Sequence, residues 1–120
     1  MDFKTDRPIY QQIVDYCYTR ILSGAWPPDG KIPSVRELAM ALSVNTHTVL
    51  KALETLQSAE IIMPRRGLGF FLAPDAPGRV MQARRQEFFN TTLAELFHEM
   101  EMLGISIDDV VDYYKQRLKP

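Results

Sequence analysis

The chain has 120 residues, 46% apolar and 24% charged, with a net charge of −1. That is enough apolar material for a packed core and too balanced a charge for a disordered chain, so one domain, or a domain with an appendage, is expected. No apolar run of about 18 residues offers a membrane span, residues 1–10 hold Asp2 and Asp6 in place of a signal core, and the single Cys17 has no disulfide partner, which together point to a reducing, cytoplasmic setting without membrane.

Net charge gives no broad basic footprint for nucleic acid. Residues 1–77 carry eight Lys/Arg and eight Asp/Glu, so any such contact must rest on local placement of cations. In chain order, residues 8–23 ("PIYQQIVDYCYTRILS") predict a first helix, with Asp6 as its cap and Pro8 in its first turn. Ile13, Cys17 and Ile21 recur at i, i+4, i+8, with Tyr10 and Val14 beside them, and Gly24 suits the left-handed position past the end. "PPDGK" (27–31) predicts a turn in which proline sets φ and Gly30 takes positive φ.

Residues 34–42 ("SVRELAMAL") predict a short second helix. Ser34 and Glu37 form a capping box, Val35, Leu38, Ala39 and Leu42 make the buried stripe, and Arg36 and Met40 point away from it. After a break at 43–45 a third helix is predicted from Thr46 to Ala59, capped by Asn45, with Val49, Ala52, Leu53 and Leu56 inward. Thr46, His47, Leu50, Lys51 and Glu54 fall on its outer side. "IIMPRRGLGFFL" (61–72) predicts a hairpin around Gly67 and Gly69, with Pro64 at a strand end or edge.

Residues 73–78 ("APDAPG") look like a connector. Beyond it Phe89, Leu93, Leu96, Met100 and Leu103, spaced 4, 3, 4, 3, predict an apolar seam on a helix from Pro77 to Met102, ended by Gly104. Ser106 and Asp109 suggest a second capping box, followed by a helix striped by Ile107, Val110, Val111, Tyr114 and Leu118. The expected organisation is a domain over 1–73, a linker over 74–78 and a two-helix region over 79–120. The fold class is mainly α with a small β-hairpin.

Two short helices joined by a tight turn, the second opening on Asn45, Thr46, His47 and Thr48, read as a helix-turn-helix. In that arrangement the start of the second helix enters the major groove. Asn and His can bond purine edges, and Thr can hydrogen-bond or offer its methyl to thymine. The hairpin then reads as a wing carrying Arg65 and Arg66. Each sign alone has a plainer reading: short polar residues cap helices, a lone histidine or Arg-Arg pair is commonly solvated surface, and any tight hairpin wants glycine. Stability alone offers no simple reason for the whole order within 75 residues.

Residues 8–72 resemble the winged-helix domain of the GntR family of bacterial transcription regulators. The resemblance is carried by "PIYQQI", "GKIPSVRELA", "LSVNTHTVLKAL" and "RRGLGFF", and the Val44–Ala52 stretch with the short helical tail is similar to the YtrA subfamily. It implies a homodimeric repressor or regulator on a pseudo-palindromic, double-stranded operator. Arg36 would hold phosphate or base, Asn45, Thr46, His47, Thr48 and Lys51 would belong to the recognition helix, and Arg65, Arg66, Gly67 and Gly69 to the wing. The chain departs from the family pattern at Glu60, where glycine commonly ends the recognition helix, at Leu68 and Phe70 in the wing, and at Leu50 on the reading face.

The tail helices are too small to enclose a core, and an apolar seam of this length marks an interface. Phe89, Leu93, Leu96, Met100, Leu103, Val111 and Tyr114 are therefore expected at a dimer interface. The other reading packs them on the chain's own first domain. A small-molecule effector would have to sit between protomers, since two helices cannot wrap several hundred Å³; no residue names one. No Ser/His/Asp set or phosphate loop suggests an enzyme, and no cofactor is expected. Asp108, Asp109 and Asp112 suit a helix N-terminus better than a metal, and the methionines lack ligand spacing. The rival function is a winged-helix protein-interaction module or RNA-contacting adaptor, for which near-zero charge would be natural.

Overall fold

The computed structural model describes residues 2–119; Met1 and Pro120, the outer ends of the two expected domains, lie outside the described residues. The elements run α1 (Ile9–Leu22), α2 (Val35–Leu42), α3 (Thr46–Ser58), β1 (Ile62–Arg65), β2 (Gly69–Leu72), α4 (Ala76–Glu87), a π-helical segment (Phe88–Thr92), α5 (Leu93–Leu103) and α6 (Ile107–Arg117). The fold is mainly α with one two-stranded hairpin, as the sequence predicts. Two compact units, Met1–Ala83 and Arg84–Pro120, divide inside α4.

In the first unit α1 buries Ile13, Val14, Cys17, Tyr18 and Ile21. The helix starts behind Pro8, and no side chain caps it, so the expected Asp6 cap does not form. Gln12 does the holding in its place. Its Nε2 donates to the carbonyls of Lys4 (2.8 Å) and Arg7 (2.9 Å), and its Oε1 accepts from the Lys4 N–H (2.8 Å). Arg7 also pairs with Asp15 one helical face further along. The second glutamine of "PIYQQI" thus clamps the segment that enters α1.

The turn after α1 also differs from expectation. Positive φ falls on Asp29 (φ 63), while the Gly30 N–H donates to the Pro27 carbonyl (3.0 Å). Glycine is needed at 30 because a Cβ there would meet that carbonyl oxygen at 2.8 Å. The constraint is close approach, not backbone hand.

The Ser34–Glu37 capping box forms as read, and its hydrogen bonds hold the Glu37 carboxyl below its ordinary range. Leu38, Ala39 and Leu42 are buried, Val35 partly so, and Arg36 and Met40 are exposed. Asn45 caps α3, which buries Val49, Ala52, Leu53 and Leu56 against α1 and α2. Truncating a fully buried leucine such as Leu53 to alanine costs about 2–5 kcal/mol.

Both α2 and α3 end in the same way without glycine. Ser43 (φ 56) and Glu60 (φ 58) take the left-handed conformation. The next residue closes each helix: Val44 N–H donates to the Ala39 carbonyl and Ile61 N–H to the Leu56 carbonyl, both at 3.0 Å. Glu60, which stands where the family pattern has glycine, therefore carries left-handed strain in the backbone.

In the hairpin Ile62 pairs with Leu72 and Arg65 with Gly69, and Pro64 lies inside β1 opposite Phe70. A proline is tolerated because β1 has an open side. The Leu68 N–H donates to the Arg65 carbonyl (2.9 Å) across a turn that needs positive φ at Gly67 (φ 77). Lys31 bridges to Phe71, so the stretch before α2 lies along the far side of β2.

Where a linker was expected at 74–78, α4 begins at Ala76, and Ala76 and Val80 are buried in the core of the first unit. The predicted helix from Pro77 to Met102 is broken by the π segment. Asn90, Thr91 and Thr92 suit an α-helix poorly, because short polar and β-branched side chains compete for the backbone or crowd it. Phe88 and Phe89 meet edge to face there, at 5.3 Å between ring centres. Residues one turn apart in such a segment are more than four apart, so Phe89 is out of step with the seam that continues from Leu93.

In the second unit α5 ends at Gly104 (φ 67), and the Ser106–Asp109 capping box opens α6. Met100 is the only side chain buried among its described residues. Leu93 is half-buried, while Phe89, Leu96, Leu103, Val111 and Tyr114 are exposed, Leu103 by 65% and Tyr114 by 61%.

Candidate nucleic-acid interface

The first turn of α3 faces out. Asn45, Thr46 and His47 are exposed, and Thr48 is half-buried. The cap fixes what each can offer. Asn45 Oδ1 accepts from the His47 N–H (2.7 Å) and the Asn45 carbonyl from the Thr48 N–H (3.1 Å). Asn45 therefore keeps its amide donors free, and the Thr46 N–H is the first-turn amide with no described acceptor, available to a phosphate. Leu50 and Lys51 follow on the same outer side, both exposed.

The same unit carries exposed cations. Arg36 on α2 and Arg66 in the hairpin turn are exposed and have no ion pair or hydrogen bond with any described group. Neither is neutralised within the protein, so both keep full charge for an anionic partner. Lys51 and Arg65 lie on aromatic faces: Lys51 Nζ is 4.1 Å from the centre of the Tyr10 ring, and Arg65 Cζ is 4.0 Å from that of Phe71. Gly67 and Gly69 shape the turn. Gly69 needs its positive φ (106), and a Cβ there would press on Lys31 Cε at 3.2 Å.

Every sequence-predicted contact residue thus lies at the surface of the first unit, none of them fully buried. Two residues escaped the sequence reading of the site: Tyr10 and Phe71. Tyr10 reads as part of the α1 apolar face and Phe71 as a strand residue; their ring contacts depend on tertiary packing and strand register. Among the described residues no group of three His, Cys, Asp or Glu side chains comes together around a metal, and no helix is long and apolar enough to cross a membrane.

The family model for bacterial regulatory proteins of the gntR family matches residues 9–72, from the start of α1 to the end of β2. The chain belongs to the gntR family. This bears out the resemblance read in the sequence and makes the protein a DNA-binding transcriptional regulator. It is similar to the HTH-type transcriptional repressor YtrA of Bacillus subtilis, with 28% identity over 97% of this chain and 88% of that protein. A solved GntR family regulator from Bacteroides thetaiotaomicron superposes with a TM-score of 0.74 at 37% identity, covering 92% of this chain and 96% of that one. The DNA-binding domain of AraR, solved in complex with an operator, matches with a TM-score of 0.55 at 32% identity, over 61% of this chain and 88% of that one.

Proposed function

We propose that this gntR regulator is a homodimeric repressor that binds a pseudo-palindromic operator in the cytoplasm. Each protomer places the α3 tip in a major groove and its wing on the flanking backbone. The observation that carries this reading is the exposed polar start of α3 in a unit that also carries the exposed, uncompensated Arg36 and Arg66. Thr46, His47 and the free donors of Asn45 would read base edges; Arg36, Lys51, Arg65 and Arg66 would hold phosphate or base.

Dimerisation draws support from the second unit. A unit of 37 residues, Arg84–Pro120, with Met100 as its only buried described side chain cannot be stabilised by its own core. Leu93, Leu96, Leu103, Val111 and Tyr114 form the proposed self-contact, with Phe89 at its edge beyond the π segment. Met100 is buried within the protomer and would support that surface from beneath. Two half-sites on DNA require two tips, which a two-fold dimer supplies. The repressor assignment rests on likeness to YtrA, named a repressor.

The test is selection of bound sites from a random duplex pool. A recovered inverted repeat, bound tightly and competed poorly by random DNA, is the expected result. Uniform weak binding to all duplexes would favour the adaptor reading.

A further inference from the structure

We propose that Tyr10 is a positioning residue for operator contact: its ring holds the Lys51 ammonium at the recognition surface, and Phe71 does the same for Arg65 on the wing. The inference rests on the DNA-binding reading above and adds residues that touch no base.

Lys51 stands on the exposed side of α3 at the end of a long, flexible side chain. Tyr10 comes from α1, is half-buried and packs against the core, and the Gln11 amide donates to its hydroxyl (3.3 Å). A fixed ring therefore sits under a mobile cation, 4.1 Å from its nitrogen. The choice of a ring as holder has a physical consequence. A carboxylate partner would cancel the charge and would have to be displaced by DNA. A neutral aromatic face orients the ammonium and leaves its charge intact. No described carboxylate pairs with Lys51, although Glu54 lies three residues on along the same helix. The ring covers one side of the ammonium, and the N–H groups on the other side remain free for a phosphate oxygen.

The wing repeats the device. Arg65 is paired across the hairpin with Gly69, which has no side chain, so the guanidinium leans onto the diagonal neighbour Phe71. Phe71 is half-buried and fixed by its bridge to Lys31. Two cations from different elements are thus pre-placed by neutral rings, and less side-chain freedom is lost when DNA binds.

The experiment titrates a selected operator duplex with wild type, Tyr10→Phe, Tyr10→Leu, Lys51→Ala and the Tyr10→Leu/Lys51→Ala double variant at several salt concentrations. Tyr10→Phe keeps the ring and should bind within about twofold of wild type. Tyr10→Leu should weaken binding about threefold to tenfold. The slope of log K against log salt should not change, because no charge is removed. In the Lys51→Ala background Tyr10→Leu should change binding by less than about twofold. Equal binding of Tyr10→Leu and wild type, or the same loss in both backgrounds, overturns the proposal. A second measurement does not depend on the leucine variant folding: after ¹³C reductive methylation, the Lys51 methyl resonance should be ring-shifted in wild type and Tyr10→Phe. An unshifted wild-type resonance overturns the proposal. A wild type that binds no duplex selectively overturns the operator reading and this inference together, whereas selective binding that ignores Tyr10→Leu overturns this inference alone.

Discussion

Arg79 of α4 reaches back to the end of α3, where its Nη1 lies 3.1 Å from Oε2 of Glu60, a residue held at φ 58. The same guanidinium is bonded through Nε to Asp75 (2.8 Å) and holds the Asp75 carboxyl below its ordinary range. The ion pair therefore ties the first turn of α4 to a left-handed residue that glycine would occupy with less strain.

Two effects oppose each other at Glu60. Left-handed backbone costs a non-glycine residue roughly 1–2 kcal/mol. The exposed pair with Arg79 returns less than that, because water screens it on both sides. Glu60→Gly should therefore raise the melting temperature by a few degrees, and Glu60→Ala, which keeps the strain and loses the pair, should lower it slightly. Thermal unfolding of the three proteins followed by circular dichroism checks the order.

The uncompensated arginines set the salt response. If each protomer neutralises about three phosphates, log K against log salt for the dimer should slope near −5 to −6. Arg66→Ala, removed twice in a dimer, should reduce that slope by about 2 and weaken all sequences alike. Arg36→Ala and Arg65→Ala should abolish tight binding to the selected operator. Anisotropy titrations across a salt series measure both.

Dimerisation through the second unit predicts a particle of twice the chain mass at micromolar concentration. Leu96→Asp places a charge on the exposed apolar side of α5, where it would be desolvated in the proposed contact. Light scattering should then report a monomer, with operator affinity reduced at least tenfold. A wild-type monomer at every concentration would remove the interface.

Burial pushes the Cys17 thiol up to about 12. The folded protein therefore retains the proton that the unfolded chain loses near its ordinary value of 9.0. Because the native state then binds more protons, this contribution to stability is intact below pH 9 and falls as pH rises toward 12. At pH 8 the thiol should react slowly with a thiol reagent in buffer and quickly in denaturant. Rapid labelling of the folded protein would contradict the burial.

The sequence by itself determined α1, α2, α3 and α6, the caps of α2, α3 and α6, and the family. The Ser34–Glu37 and Ser106–Asp109 capping boxes, the Asn45 cap and the stripe Val49, Leu53, Leu56 formed as read, because each is a local hydrogen bond or a periodicity within one helix. The outward side of α3 followed from the same periodicity. Tertiary structure decided what depends on residues far apart in the chain. Gln12 replaced Asp6 in holding the entry to α1, since its partners are backbone groups of a preceding segment. Ala76 left the expected linker, and Val80 the expected two-helix region, for the core of the first unit, because apolar burial outweighs the turn preference of the Pro and Gly around them. The π segment broke the even seam, where a heptad spacing presumes an α-helical pitch that Asn90, Thr91 and Thr92 do not sustain. Lys51 on Tyr10 and Arg65 on Phe71 belong to the same class: a ring and a cation meet only when α1 packs on α3, or when strand register places them diagonally.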